Sequence, residues 1–461
     1  MTSRSYEILC VVLLGLGQMS IMTGYDTQSF VQESVIHSVN ERNPSLIGPY
    51  AGYYGQATCY VAYMLSCLIA PAIMSIVGPK KTLLLGSLCY TFYQVGFFFL
   101  NSYYYYTSCA LMGLGFALYY TGNGGYLTSH STRQTVEQNS AIAWAIACVC
   151  MLIGGGILAT IVKIKEGTTL DTFTNGTMHN THHRTFTDSE ILWMYGAFTL
   201  FTIVSNIIFL VIPEKEIDNC IEGKQEKRPS FNQQMKLMLN TFAKPKMILL
   251  SLCFVHLGLY TSFWVSVYPT TMIFTESLRD SKYIIAVYSV AVGSGEIAMG
   301  FVISYMSSRV HNFCLKPVAL LSFVGTLIVV LSIWVSTPQW AAVRPTDELA
   351  WLVQPSYLVV GTIGFFLGFF DSCINNARLV ICALALPKNR AQSFSISKFY
   401  QALGGSALMI MSPYLSITNY TTILIISSTL STVLYLVVSH QIEKKEKSVH
   451  EFKKNPAVVF E

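Results

Sequence analysis

Hydrophobic and polar positions along the chain fall into long blocks rather than short alternations. A helix needs about 20 apolar residues to cross a bilayer. Runs of that kind recur twelve times, near 6–29, 51–77, 82–100, 103–128, 140–162, 190–212, 247–271, 283–306, 317–336, 355–379, 395–416 and 420–440. The pattern predicts an all-α polytopic membrane protein with twelve transmembrane helices. The one substantial polar break, 213–246, is rich in Glu and Lys and carries Pro229 and Pro245. It separates an N-terminal six-helix half, 1–212, from a C-terminal six-helix half, 247–440, with a polar tail at 441–461 that is expected to be disordered. Halves of such similar length point to an internal repeat. Asn139 precedes Gly154 and Gly155 by the same fifteen residues that separate Asn389 from Gly404 and Gly405.

Composition agrees with a lipid solvent. The chain has 461 residues, 52% hydrophobic and 11% charged, with mean hydropathy +0.48, whereas a soluble domain carries about 25% charge. The net charge of +5 is dispersed in short loops, so it does not point to nucleic acid. With the N-terminus inside, the cytoplasmic segments hold 21 Lys and Arg, Lys388, Arg390 and Lys398 among them; the opposite side holds seven, and Arg378 lies within a span. The positive-inside rule then places both termini in the cytoplasm. The apolar stretch near the N-terminus, LCVVLLGLG, has no clear cleavage site and reads as a retained helix. An outer loop at about 163–190 contains the sequon Asn175-Gly176-Thr177, the expected glycosylation site, while the sequon at Asn419 lies too near the membrane edge. All 12 cysteines fall in spans or cytoplasmic loops, so no disulfide is implied. Cys148 and Cys150 face opposite ways on a helix, and nothing suggests a metal or a cofactor.

Charge within the spans singles out candidates. Gly361, Gly364, Gly368, Asp371, Asn375 and Arg378 step by three and four residues along one face of the tenth span. In the eighth, Ala286, Ser289, Gly293, Glu296, Gly300 and Ser304 do the same. Such small-to-polar stripes pack on protein, and an ionisable group at that depth costs about 3 kcal/mol or more, which marks a functional site by default. The alternative for Asp371 is a structural role, satisfied by a neighbouring helix or, through Asn375, by Arg378. Glu296 is either a neutral carboxyl bonded to a neighbouring helix or a proton-coupling group. At about 1.5 Å per residue, His256 reaches about 14 Å into the bilayer from the cytoplasmic edge, while Asp371 and Glu296 reach about 24 and 20 Å from the other. An imidazole and two carboxyls in one slab have the composition of a proton relay. Tyr260, Trp264 and Tyr268 form a ladder that either stacks a solute or serves as packing; the run from Tyr103 to Tyr106 reads as an interfacial belt. Asp26 and Glu33 follow the first span and should meet water at the outer interface.

Two equal sets of six spans resemble the major facilitator superfamily. The strings GLGFALYYTGNGGYLT, QNSAIAW, GSGEIAMG, FFDSCINN and KFYQALGGSA, in order in the fourth, fifth, eighth, tenth and eleventh spans, narrow this. They resemble the uncoordinated-ninety-three-like branch, described as ion-channel regulatory proteins, and its shorter facilitator-domain-eleven type. The resemblance implies a major facilitator fold in which the first and fourth helices of each half line a cavity, while the second and fifth form the seam between halves. The loop after the second helix reads Gly78-Pro79-Lys80-Lys81; it keeps the basic pair of that superfamily's latch but lacks its Asp and Arg.

Two functions follow. The resemblance implies a regulator or escort of a partner membrane protein, such as a channel subunit or receptor, and the incomplete latch agrees with it. The buried acids instead favour a secondary transporter that moves a small solute with protons. No Walker loop, HExxH helix or nucleophile elbow supports an enzyme. No Arg series or selectivity filter supports a pore.

Overall fold

Inside a bilayer the backbone finds no water, so each apolar run must close its hydrogen bonds on itself as a helix. The computed structural model describes residues 3–132, 135–170, 186–217, 220, 231–307, 309–310, 313, 315–386 and 389–454. The apolar runs of the first half are α1 (Ser3–Arg42), α2 (Ala51–Val77), α3 (Pro79–Val95), α4 (Ser102–Ser129), α5 (Val136–Leu170) and α6 (Asp188–Val211). A short helix, α7 (Phe231–Phe242), lies in the central break. The seventh run is α8 (Pro245–Ser262), a π turn at Phe263–Val267 and α9 (Tyr268–Phe274). The rest are α10 (Ile284–Ser307), α11 (Lys316–Ser336), α12 (Tyr357–Ala385), α13 (Arg390–Met411) and α14 (Ile417–Lys454). Ten helical segments among the described residues are long and apolar enough to cross a membrane, and the protein is an integral multi-pass membrane protein. The other two long helices, α4 and α13, are the most interrupted by Tyr, Ser, Gln and Asn.

Local chemistry sets the helix ends. The Asn101 side chain accepts the Tyr104 N–H at 3.0 Å and starts α4 one residue after the Leu100 break. Thr187 and Glu190 form a capping box at the start of α6. Gly78 adopts φ 86°, a conformation that favours glycine, and Pro79 then opens α3 where a missing N–H costs nothing.

Three expectations need correcting. First, α1 does not stop near residue 29 but runs to Arg42, so Asp26 and Glu33 sit on a helix. Glu33 is buried, and its Oε2 accepts the Tyr53 N–H at 2.9 Å, so it does not face open water. Second, Lys398 lies well inside α13 rather than in a loop, because the helix begins at Arg390. Third, α14 continues to Lys454 instead of fraying after residue 441. Glu and Lys are good helix formers, and a Lys316–Glu443 ion pair at 2.5 Å ties the extension to α11. Asn175 lies outside the described residues.

Helix packing follows one scheme twice. α1 packs on α5 and α6, α2 on α4, and α3 on α4 and α6; likewise α8 packs on α13 and α14, α10 on α12, and α11 on α12 and α14. The two sets meet where α2 lies on α13 and α5 lies on α10. Glycine makes these approaches possible. A Cβ on Gly368 would strike the Val292 carbonyl of α10, and one on Gly295 the Phe365 carbonyl of α12. The glycine pairs behave alike: Gly154 faces Thr27 of α1 and Gly155 meets α10, while Gly404 faces Val255 of α8 and Gly405 meets Tyr60 of α2. The paired asparagines also match. Asn139 donates to Glu7 on α1 at 2.8 Å, and Asn389 accepts the Lys244 ammonium just before α8 at 2.7 Å.

Close backbone contact at Gly368 implies that Gly368→Leu costs about 1–3 kcal/mol through overpacking. It is expected to lower the melting temperature of detergent-purified protein. Gly156→Leu, where a Cβ meets nothing within 4 Å, is the control that should leave it unchanged. Equal melting temperatures for the two variants would contradict this packing.

Candidate functional site

Asp371 is buried where α12 passes the end of α8. Trp264 Nε1 donates to its Oδ1 at 2.9 Å and Thr261 Oγ1 to the same oxygen at 3.3 Å. Asn375, one turn along α12, donates to Oδ2 at 2.8 Å. Both carboxylate oxygens are thus hydrogen-bonded. Trp264 belongs to the π turn, a departure from α geometry that recurs at functional sites. Its backbone oxygen accepts the Tyr288 hydroxyl at 2.6 Å, and the Tyr260 hydroxyl donates to the Leu367 carbonyl of α12 at 3.1 Å. Both cavity candidates, Tyr260 and Trp264, are buried and join α8 to the acid's helix.

Two further acids lie near. Glu296 of α10 is buried and accepts no hydrogen bond among the described residues, yet it interacts electrostatically with Asp371 and with Asp26 of α1. Asp26 is half-buried, with Cys150 Sγ 4.0 Å from its Oδ2. Three helices therefore bring Asp26, Glu296 and Asp371 into one field. No group of three His, Cys, Asp or Glu side chains among the described residues is arranged to hold a metal.

Two cations complete the cluster. Arg378 Nη1 donates to Ser397 of α13 at 3.1 Å, so it turns to α13 rather than bracing Asp371 through Asn375. Lys398 was missed as a site residue by sequence reasoning, although a lysine inside the run 395–416 was a visible signal. Its Nζ donates to Gln401 at 2.9 Å and sits 4.5 Å from the centre of the Tyr120 ring on α4, a cation–π contact. Lys398 interacts with both Arg378 and Asp371. Among the described residues no ion pair joins these acids to these bases.

His256 is not part of this group. Its Nδ1 is 2.9 Å from Ser427 Oγ on α14, and its ring centre lies 6.3 Å from that of Tyr260. A second buried network also escaped the sequence reading. Gln28 and Gln32 of α1, Gln56 of α2, Tyr93 and Gln94 of α3 and Tyr105 of α4 exchange side-chain hydrogen bonds of 2.6 to 3.1 Å. Three glutamines inside apolar runs, Gln28, Gln56 and Gln94, were the available signal.

The cluster is closed more firmly on one side. Towards the end where α1 finishes, Phe30 packs on Trp264 and Tyr288 with ring centres 6.2 and 5.3 Å apart, and His37 packs on Phe274 at 4.9 Å. The Tyr53 hydroxyl donates to the Ala342 carbonyl at 2.7 Å there. Towards the other end, Asn375, Arg378 and Lys398 keep partial exposure.

The family model described as ion channel regulatory protein UNC-93 matches residues 43–436. The UNC93-like protein MFSD11 of Xenopus tropicalis is 26% identical over 455 residues, covering 95% of this chain and 97% of the relative. Its counterpart from Xenopus laevis is 26% identical over 459 residues, with the same coverage of each. With that match spanning most of its length, the chain belongs to the UNC-93 family of ion channel regulatory proteins.

Proposed function

We propose that the protein is a proton-coupled secondary transporter of a small solute, working by alternating access between two six-helix halves, 1–212 and 247–440, in a major facilitator fold with cytoplasmic termini. The observation that carries this reading is the set of half-buried Asp26 and buried Glu296 and Asp371, contributed by helices of both halves and placed beside Arg378 and Lys398. Ionisable groups are expensive in a membrane interior and are kept where a proton or ion must pass. The duplicated packing scheme supports two halves, and the seams α2 with α13 and α5 with α10 supply surfaces on which they rock. Firm closure at one end of the cluster and partial exposure at the other fit one state of such a cycle.

A second reading has its own support. The family description favours regulation or escort of a channel subunit or receptor. An open groove of about 770 Å³ between α5, α10 and α12, lined by Gly156, Val287, Val290, Gly361 and Phe365, offers lipid or a partner helix a place to lie. Regulation, however, gives the buried charges no task, so transport accounts for more of the structure.

The test is two-sided accessibility. In a background without native cysteines, Asn375→Cys is labelled with a small membrane-impermeant thiol reagent from either side. Transport predicts labelling from both sides at rates that change as pH falls, and Asp371→Asn should remove that pH dependence while the protein still elutes as one species. Labelling from one side only, at a constant rate, sinks the transport reading. A membrane protein co-purifying at fixed ratio would then support the regulator.

A further inference from the structure

Hydrogen-bond donors outnumber acceptors where α2, α4, α12 and α13 meet. The Arg378 Nε–H is buried and has no acceptor, and the Tyr63 hydroxyl, on a side chain 5% exposed, has none either. Lys398 uses one of its three N–H donors on Gln401 and presents its charge to Tyr120. Tyr63 and Tyr120 both interact electrostatically with Arg378, as does Lys398. Their rings lie 6.3 Å apart and nearly parallel, and Phe116 is 6.1 Å from Tyr120 in the same manner. A buried donor without a partner costs about 1–3 kcal/mol, and a guanidinium beside an ammonium adds repulsion. One negatively charged acceptor would relieve both.

We infer that Arg378, Lys398 and Tyr63 form an anion subsite, and that the carried solute is an organic monocarboxylate with an apolar body lying along Tyr63, Phe116 and Tyr120. This rests on the transport reading above. Arg378 supplies planar N–H donors to the carboxylate, Lys398 a compact charge and Tyr63 a third donor.

Charge balance adds the proton. The cluster holds three acids, Asp26, Glu296 and Asp371, against two bases, Arg378 and Lys398. With two acids ionised the empty site is neutral. A bound carboxylate adds one negative charge, and the site returns to neutrality when one further acid takes a proton from the same aqueous side. Asp371 keeps its charge on three donors, and Glu296, buried with no donor among the described residues, is the acid already neutral in the empty site, so half-buried Asp26 is the acid we assign to that proton. An O–H bond forms on its carboxylate and no bond in the solute breaks. Solute and proton then cross together, one for one.

The test uses the full-length protein in lipid nanodiscs, titrated by calorimetry with benzoate and with its neutral and cationic analogues, benzamide and benzylammonium. Benzoate is expected to bind and the other two are not. Between about pH 6 and 8, where benzoate stays ionised, its affinity should rise by up to about tenfold per unit fall in pH. Asp26→Asn should flatten that dependence. Lys398→Met is expected to weaken benzoate at least tenfold, about the effect of losing a charged partner. Tyr63→Phe, which removes only a hydroxyl and keeps the ring packing, should weaken it about threefold to tenfold. No benzoate binding, equal binding of the three probes, or unchanged affinity in both Lys398→Met and Tyr63→Phe overturns the anion subsite. If Asn375→Cys alternates while benzoate fails to bind, transport stands and the carboxylate assignment falls. If benzoate binds while Asn375→Cys stays fixed, the carboxylate is not a carried solute and the transport reading falls.

Discussion

A carboxyl group inside the hydrocarbon layer has no water to turn to, and the protein must supply every partner it has. Asp371 obtains two donors from the α8 end, Thr261 and Trp264, and one from its own helix, Asn375. That requirement fixes much else. Helix α12 has to lie within hydrogen-bonding reach of α8, and it is held there on its other side by α10, where Gly364 and Gly368 let the two backbones approach. Lipid tails are as apolar as leucine, so nothing squeezes these helices together as water would. Close glycine contact and satisfied polar groups take over that role. The same logic applies to the glutamine and tyrosine network of α1 to α4, which is hydrogen-bonded across four helices.

Much of this was legible in the sequence. Ten of the long helices coincide with apolar runs that hydropathy alone credits as membrane spans, and the helical step of three and four put Gly368 and Asp371 on protein-facing sides. What periodicity could not give was the partner. Of the two structural partners weighed for Asp371, a neighbouring helix or Arg378 through Asn375, the neighbouring helix supplies two donors, while Arg378 bonds Ser397 on α13, a contact that no local spacing encodes. Lys398 was counted with the cytoplasmic segments; here it lies eight residues into α13 and its charge rests on the Tyr120 ring face. Asp26 and Glu33 were placed in water because the apolar run fades near residue 29, whereas α1 continues as a helix packed on its neighbours. Hydropathy marks where a helix can meet lipid, not where it ends inside protein.

The same distinction explains why α4 and α13 are the two long helices that hydropathy alone does not credit as membrane spans. They carry Tyr120 and Lys398, and polar residues on faces turned to protein lower the average of the whole segment. Repeat symmetry hides in a similar way. Asn139 and Asn389 share little beyond the glycine pair fifteen residues on, yet each links the start of its helix to the region where the first helix of its set begins.

The π turn connects the acid to the closed end of the bundle. Trp264 donates to Asp371 through its indole, accepts Tyr288 through its backbone and lies against Phe30 of α1, so one residue touches α12, α10 and α1. An uninterrupted helix from α8 to α9 would advance 100° per residue and leave fewer ways for the indole to meet a carboxylate while its carbonyl meets a hydroxyl. Five residues of π geometry change that phase and leave a site of lower backbone regularity between two rigid pieces. Any change in the charge of Asp371 alters the bond that holds the Trp264 indole. Phe30 is the contact through which that change reaches the first set of helices, and with Tyr288 it forms part of the closure on that side. The acid and the closed end are thus mechanically adjacent, joined through the single residue Trp264.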